Sequence, residues 1–200
     1  MSKLAPLACA VSLSLLAIDS RAQVPFVQVY FTGNPALNTY ADTYAFCELP
    51  GTMQYLYVVL QNWNMWVSAV EFSIDYPLAL YLAGETAPPN TLTIGQSDAH
   101  GGFGGIAIAW QYPQSGSVPL LALTVRVIWT GSCDCYGPPH PVRVKGYWYG
   151  NVGNGGHANP RAVRWPDFAE IEGVGMMSLV CPGQPATAPT TWGRVKALYR

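Results

Sequence analysis

From residue 53 onward the chain repeats one pattern, in which apolar positions take turns with polar or small ones. In "MQYLYVVLQN", Leu56, Val58 and Leu60 alternate with Tyr55, Tyr57 and Val59. "SAVEFSIDYP" sets Val70, Phe72, Ile74 and Tyr76 against Ala69, Glu71, Ser73 and Asp75. "LLALTVRVIWT" sets Leu121, Leu123, Val125, Val127 and Trp129 against Ala122, Thr124, Arg126 and Ile128. "PVRVKGYWYG" does the same with Val142, Val144 and Trp148 against Arg143, Lys145, Tyr147 and Tyr149. Successive side chains on a strand point to opposite faces, so this period predicts strands buried on one side. Further strands are expected at 26–32, 79–82, 105–110, 162–165 and 176–181. Pro- and Gly-rich clusters such as "APPN", "HGGFGG", "YPQSGS", "YGPPHP" and "NVGNGGHANP" punctuate them as turns. The spacing suits an all-β sandwich of about nine strands. No internal repeat is visible, and no helical period appears before Thr190.

The ends of the chain read differently. Residues 1–22 hold one early cation, Lys3, then an apolar run and the small residues Ser20 and Ala22, the pattern of a signal peptide cut after Ala22. The run is too short to span a bilayer, which takes about 20 apolar residues, so no membrane span is expected after cleavage. Residues 23–181 form the expected sandwich domain. Residues 182–191 are rich in Pro, Ala and Thr and read as an extended linker. In the tail, 192–200, Trp192, Val195, Leu198 and Tyr199 fall on one arc at helical spacing, with Arg194, Lys196 and Arg200 off it. So short a helix is marginal alone, so Trp192, Arg194, Lys196 and Tyr199 are expected to dock on something, either export or attachment machinery or the sandwich itself.

Charge sharpens this picture. Residues 23–125 carry six carboxylates and no Lys or Arg, whereas 126–200 carry eight cations against four carboxylates. The split predicts one acidic and one basic surface region. The net charge of −1 lacks the basic excess that nucleic acid requires. Four cysteines follow the cleavage point: Cys47, Cys133, Cys135 and Cys181. In an oxidising compartment they read as two disulfides with three possible pairings. Cys133 and Cys135 are too close for a zinc knuckle, so no metal is expected.

The search for chemistry yields little. His100, His140 and His157 sit in Gly/Pro-rich loops without metal-ligand spacing. Glu71 and Asp75 share one strand face but stand roughly 13 Å apart at the strand rise. Paired glycosidase carboxylates lie about 5 to 9.5 Å apart, so these two do not form such a pair. No enzyme and no cofactor is expected. A binding face is the better candidate: Arg143, Lys145, Tyr147 and Tyr149 on one strand with Arg126 on an earlier one. Trp63 and Trp66 in "NWNMW" offer a second aromatic platform.

"LYVVLQNWNMWVSAVEFSIDYP" resembles the second and third strands of cohesin-type and related carbohydrate-binding jelly-roll sandwiches, with Asp75-Tyr76-Pro77 at the corner. "GGIAIAW" and "LLALTVRVIW" sit where such domains place later core strands. The resemblance implies an antiparallel jelly-roll β-sandwich whose first and last strands run side by side in parallel. That topology brings Cys47 near Cys181 and leaves Cys133 and Cys135 to each other or to a crossed arrangement. No calcium-loop pattern and no dockerin-type module accompanies it. The tail resembles short C-terminal endings of secreted bacterial proteins suspected of marking cargo for export or surface attachment. The chain therefore reads as an exported, non-catalytic structural or adhesion module of the cell surface. Its expected partner is a cell-surface protein or a polysaccharide, with carbohydrate binding through exposed aromatics as the alternative and polysaccharide hydrolysis a remote third.

Overall fold

The computed structural model describes residues 23–41, 51–98, 104–130, 141–147 and 157–179. The four cysteines, Tyr149, the signal-like segment, the linker and the tail with Trp192, Arg194, Lys196 and Tyr199 lie outside the described residues.

Two sheets pack face to face. The five-stranded sheet has the order β13 (Val174–Gly175), β1 (Phe26–Tyr30), β4 (Met53–Gln61), β9 (Leu120–Trp129), β6 (Leu80–Thr86). The seven-stranded sheet is built around β5 (Trp66–Asp75). One side of β5 pairs with β11 (Arg161–Trp165) and β10 (Pro141–Lys145), laid end to end; the other pairs with β8 (Gly105–Ser115). Outside these lie β12 (Glu170–Glu172) on β11, β14 (Met177–Leu179) on β10 and β7 (Thr91–Gln96) on β8. A small hairpin, β2 (Thr32–Asn34) with β3 (Thr39–Ala41), turns through a single 3-10 turn at Pro35–Leu37. Asn38, at φ 50°, closes that turn in the left-handed region that Asn tolerates.

The alternating residues meet in the middle. Leu56, Val58 and Leu60 from β4, Phe72 and Ile74 from β5, and Leu123, Val125, Val127 and Trp129 from β9 are all essentially buried, with Val142 and Val144 from β10. Each fully buried side chain of this kind contributes about 1.5–3 kcal/mol. β1 and β13 pair in parallel, Phe26 opposite Val174, so the first and last parts of the sandwich lie side by side.

The strand count exceeds nine because the hairpin β2–β3 and strand β7 are added and the C-terminal stretch is divided. Between Glu170 and Leu179 the backbone visits the seven-stranded sheet, crosses to β1, and returns. Glycine permits the crossing: a Cβ on Gly175 would lie 2.0 Å from the Val144 carbonyl oxygen, and one on Gly173 would lie 2.7 Å from the Trp63 ring. Strand β7 was not expected from the sequence, and β8 runs on through Ser115, past the "YPQ" of the expected turn.

A polar link joins the sheets. The register of β6 shifts between Leu82 and Gly84, which sets Glu85 opposite the inward Val125. The Glu85 carboxylate accepts the backbone N–H of Ser97 at 2.9 Å and also the Ser97 hydroxyl. With that proton committed, the Tyr76 hydroxyl donates to Ser97 Oγ at 2.8 Å. Tyr76 is fully enclosed, and burial pushes its phenol far above the ordinary tyrosine range; the Ser97 bond opposes this only in part.

Candidate functional site

The outer face of the seven-stranded sheet collects the side chains the core leaves over. Parity on β8 points Ile106, Ile108 and Trp110 inward, so Ala107 and Ala109 face out. Their neighbours across the ladders are Glu71 and Ala69 on β5, and Ile94 and Leu92 on the edge strand β7. Leu92 and Ile94 are 65% and 61% exposed. Val163 on β11 stands opposite Ala69 and continues the row. The result is an apolar strip: the row Leu92–Ala109–Ala69–Val163 crosses β7, β8, β5 and β11 and is flat because its middle is alanine, and the row beside it, Ile94–Ala107, ends at Glu71.

Aromatic side chains close one end. Trp66 and Trp165 are register partners on β5 and β11, 56% and 44% exposed. Phe168 meets the Trp165 ring edge-on, with centroids 5.2 Å apart. Arg164 and Asp167 pair beside them at 2.5 Å, and this hydrogen bond holds the Asp167 carboxyl below the usual carboxylate range and raises Arg164.

Charges rim the strip. Lys145 Nζ lies 2.7 Å from Asp75, His157 Nε2 lies 3.7 Å from Glu71, and Arg161 lies 2.9 Å from Glu170. The exposed pairs Lys145–Asp75 and Arg161–Glu170 add at most about 1 kcal/mol each. They correct the expectation of separate acidic and basic regions. Because β10 pairs with β5, Lys145 of the second half sits on Asp75 of the first, while Arg161 and Arg164 are paired by Glu170 and Asp167 of their own half. His157, expected in a solvated loop, is instead half-buried against Glu71.

The expected binding residues do not form one group. Arg143 and Lys145 do face outward on β10, but Arg126 belongs to the opposite sheet, where its guanidinium donates to the Ala83 carbonyl oxygen at 3.3 Å. Tyr147 is half-buried rather than a free stacking face, its ring set against the bare backbone of Gly105. The two tryptophans of "NWNMW" part company. Trp63 is 5% exposed and donates its indole N–H to the Phe26 carbonyl oxygen at 3.2 Å, so it plugs the core; Trp66 alone faces out. The turn between them divides an alternation too short to read from sequence. Trp165, Phe168, Leu92 and Ile94 were missed as surface residues, although "TLTIGQ" carries a period-two pattern that would have flagged β7.

Glu71 and Asp75 are engaged by different partners, His157 and Lys145. Among the described residues no group of three or more His, Cys, Asp or Glu is placed to hold a metal ion, and no helix is long and apolar enough to cross a membrane.

No protein-family model and no curated protein matches this chain in sequence. Solved structures do match in shape. A cohesin module from a Clostridium perfringens family 33 glycoside hydrolase superposes with a TM-score of 0.53 at 10% identity, over 79% of this chain and 96% of that one. The fold is cohesin-like. A non-cellulosomal cohesin from the archaeon Archaeoglobus fulgidus gives 0.46 at 11% identity, over 78% and 90% of the two chains. A cohesin–dockerin complex from Clostridium thermocellum gives 0.47 at 8%, over 76% and 88%. The cohesin-like sandwich expected from "LYVVLQNWNMWVSAVEFSIDYP" is thus the one observed, and at these identities the likeness concerns the fold.

Proposed function

We propose that this cohesin-like chain is an exported, non-catalytic module that binds a protein partner through the outer face of its seven-stranded sheet. The observation that carries the reading is the apolar strip of Leu92, Ile94, Ala107, Ala109, Ala69 and Val163, rimmed by ion pairs. A contiguous exposed apolar surface inside a polar rim is the anatomy of a protein interface. Flat alanine rows favour a broad protein surface over a small ligand, which seeks a concavity. Export is supported by the signal-like residues 1–22. Attachment outside the cell is supported by the basic, amphipathic tail at 192–200, and deletion of 191–200 with localisation of the protein tests that part separately.

A second reading, glycan binding, is favoured by the exposed Trp66, Trp165 and Phe168 at one end of the same face, since sugar rings stack on such surfaces. The experiment compares the two. Partners captured from the native culture are identified, purified and titrated against wild type, Ala109→Arg and, on the opposite sheet, Tyr55→Arg. Ala109→Arg should weaken binding by tenfold or more, the equivalent of about 1.4 kcal/mol, with Tyr55→Arg unchanged. Equal loss in both variants would rule out this face. Retardation on neutral polysaccharide gels that is abolished by Trp66→Ala would instead establish the second reading.

A further inference from the structure

The edge strand β7, which lends Leu92 and Ile94 to the proposed binding face, also holds backbone groups that this face leaves unused. β7 pairs with β8 without interruption from Thr91 to Gln96, and no strand covers its other side among the described residues. The Gln111 N–H donates to the Asn90 carbonyl oxygen at 2.9 Å, which marks this pair as a hydrogen-bonded one. Antiparallel ladders alternate bonded and non-bonded pairs, so Leu92 and Ile94 spend their backbone groups on β8. Thr91 and Thr93 then direct their N–H and C=O groups outward, away from the sheet.

Exposed edges are normally blunted by bulges, charges or proline. The facing edge, β6, has such devices: a register shift between Leu82 and Gly84, and the Arg126 guanidinium bonded to the Ala83 carbonyl oxygen. β12 carries Glu170 and Glu172. β7 reads "TLTIGQ", with neither a charge nor a proline. It is also self-complementary. A two-fold axis through Thr93 sets Thr93 opposite its own copy, Leu92 opposite the second copy's Ile94, and Asn90 opposite its Gln96. Opposed residues share a face. The four exposed side chains, Leu92 and Ile94 from each copy, therefore meet in one cluster on the outer side. No charge falls opposite a like charge, because the nearest carboxylate, Asp98, comes opposite the neutral Pro88.

We propose that two copies of this chain pair antiparallel through β7, joining their seven-stranded sheets into one continuous sheet. A two-fold contact uses the same edge on both copies, so the pairing closes at two and does not propagate. It leaves the two outer faces on the same side, side by side.

The test is sedimentation equilibrium on the full chain over a range of concentrations, with circular dichroism to verify folding. The wild type should approach twice the chain mass as concentration rises. Ile94→Lys places two cations in the apolar cluster, and Thr93→Pro removes the outward N–H at the axis while sparing the ladder to β8. Both should halve the mass. Tyr81→Lys, on the edge of the other sheet, should leave it doubled. A wild type that stays at the single-chain mass to its solubility limit overturns the proposal, as does a dimer that survives Ile94→Lys. Should Thr93→Pro fail to fold, the exposed Ile94→Lys decides alone.

Discussion

Glu85 offers the most direct test of how the two sheets are held in register. Its carboxylate is the acceptor for two Ser97 donors, and Ser97 is 0% exposed. In Glu85→Ala both donors lose that acceptor, and of the two hydroxyl protons of Tyr76 and Ser97 only one can then be accepted within the pair. A hydrogen bond to a charged group is worth about 1.5–3 kcal/mol, and an orphaned buried donor costs about 1–3. Half-burial of Glu85 lets water replace part of this, so the loss should be about 3 kcal/mol. For a chain of this length that lowers Tm by about 6–12 °C. Glu85→Gln keeps one acceptor oxygen of the same reach and should lose only about 1 kcal/mol. Urea unfolding of the three proteins measures both values, provided the slope with denaturant is unchanged. A Glu85→Ala loss below about 1 kcal/mol, or equal losses for Gln and Ala, would refute the argument. The first result would mean that the link carries no load, the second that only charge matters.

Two further outcomes follow from described geometry. Gly175→Ala forces a methyl group onto the Val144 carbonyl oxygen, a backbone atom that cannot step aside, and should destabilise by about 3 kcal/mol or more in the same urea assay; a loss within error would mean the crossing strand shifts freely. Asp167 is held ionised by Arg164, so the contribution of this pair is complete above the unfolded carboxylate value, near 3.9, and fades as pH falls through the lower folded value. In Arg164→Met the Asp167 midpoint, followed by carboxyl NMR, should climb toward that unfolded value; a midpoint that stays put refutes the assignment.

The core was legible because alternation states which side of a strand is buried. Val70, Phe72, Ile74 and Tyr76 were read as one face, and all four are buried. What alternation leaves open is which sheet a strand joins. Arg126 and Arg143 look alike in sequence, yet β9 pairs with β4 and β6 while β10 pairs with β5, so one topology sends them to opposite sheets. Edge strands are hidden for another reason. On β7 the larger residues, Leu92 and Ile94, are the exposed ones, which inverts the usual guess that apolar means inside. Trp63 and Trp66 lie three residues apart across a turn. The indole bond to Phe26 and the close packing against Gly173 and Gly116 hold the first in the interior.

The division of Glu170–Leu179 among three strands bears on when the molecule can fold at all. A chain made from its N-terminus forward completes β1 early, yet the neighbours of β1 and β10 on this side arrive only with the last of the described residues. Until then both sheets lack a strand, and contacts as distant in sequence as Gln28 with Ser178 must still close, which makes folding slow. Synthesis therefore runs ahead of structure on this side of the sandwich. A nonsense codon before residue 170 would remove the closing strands from both sheets at once, and little of the sandwich would survive the truncation.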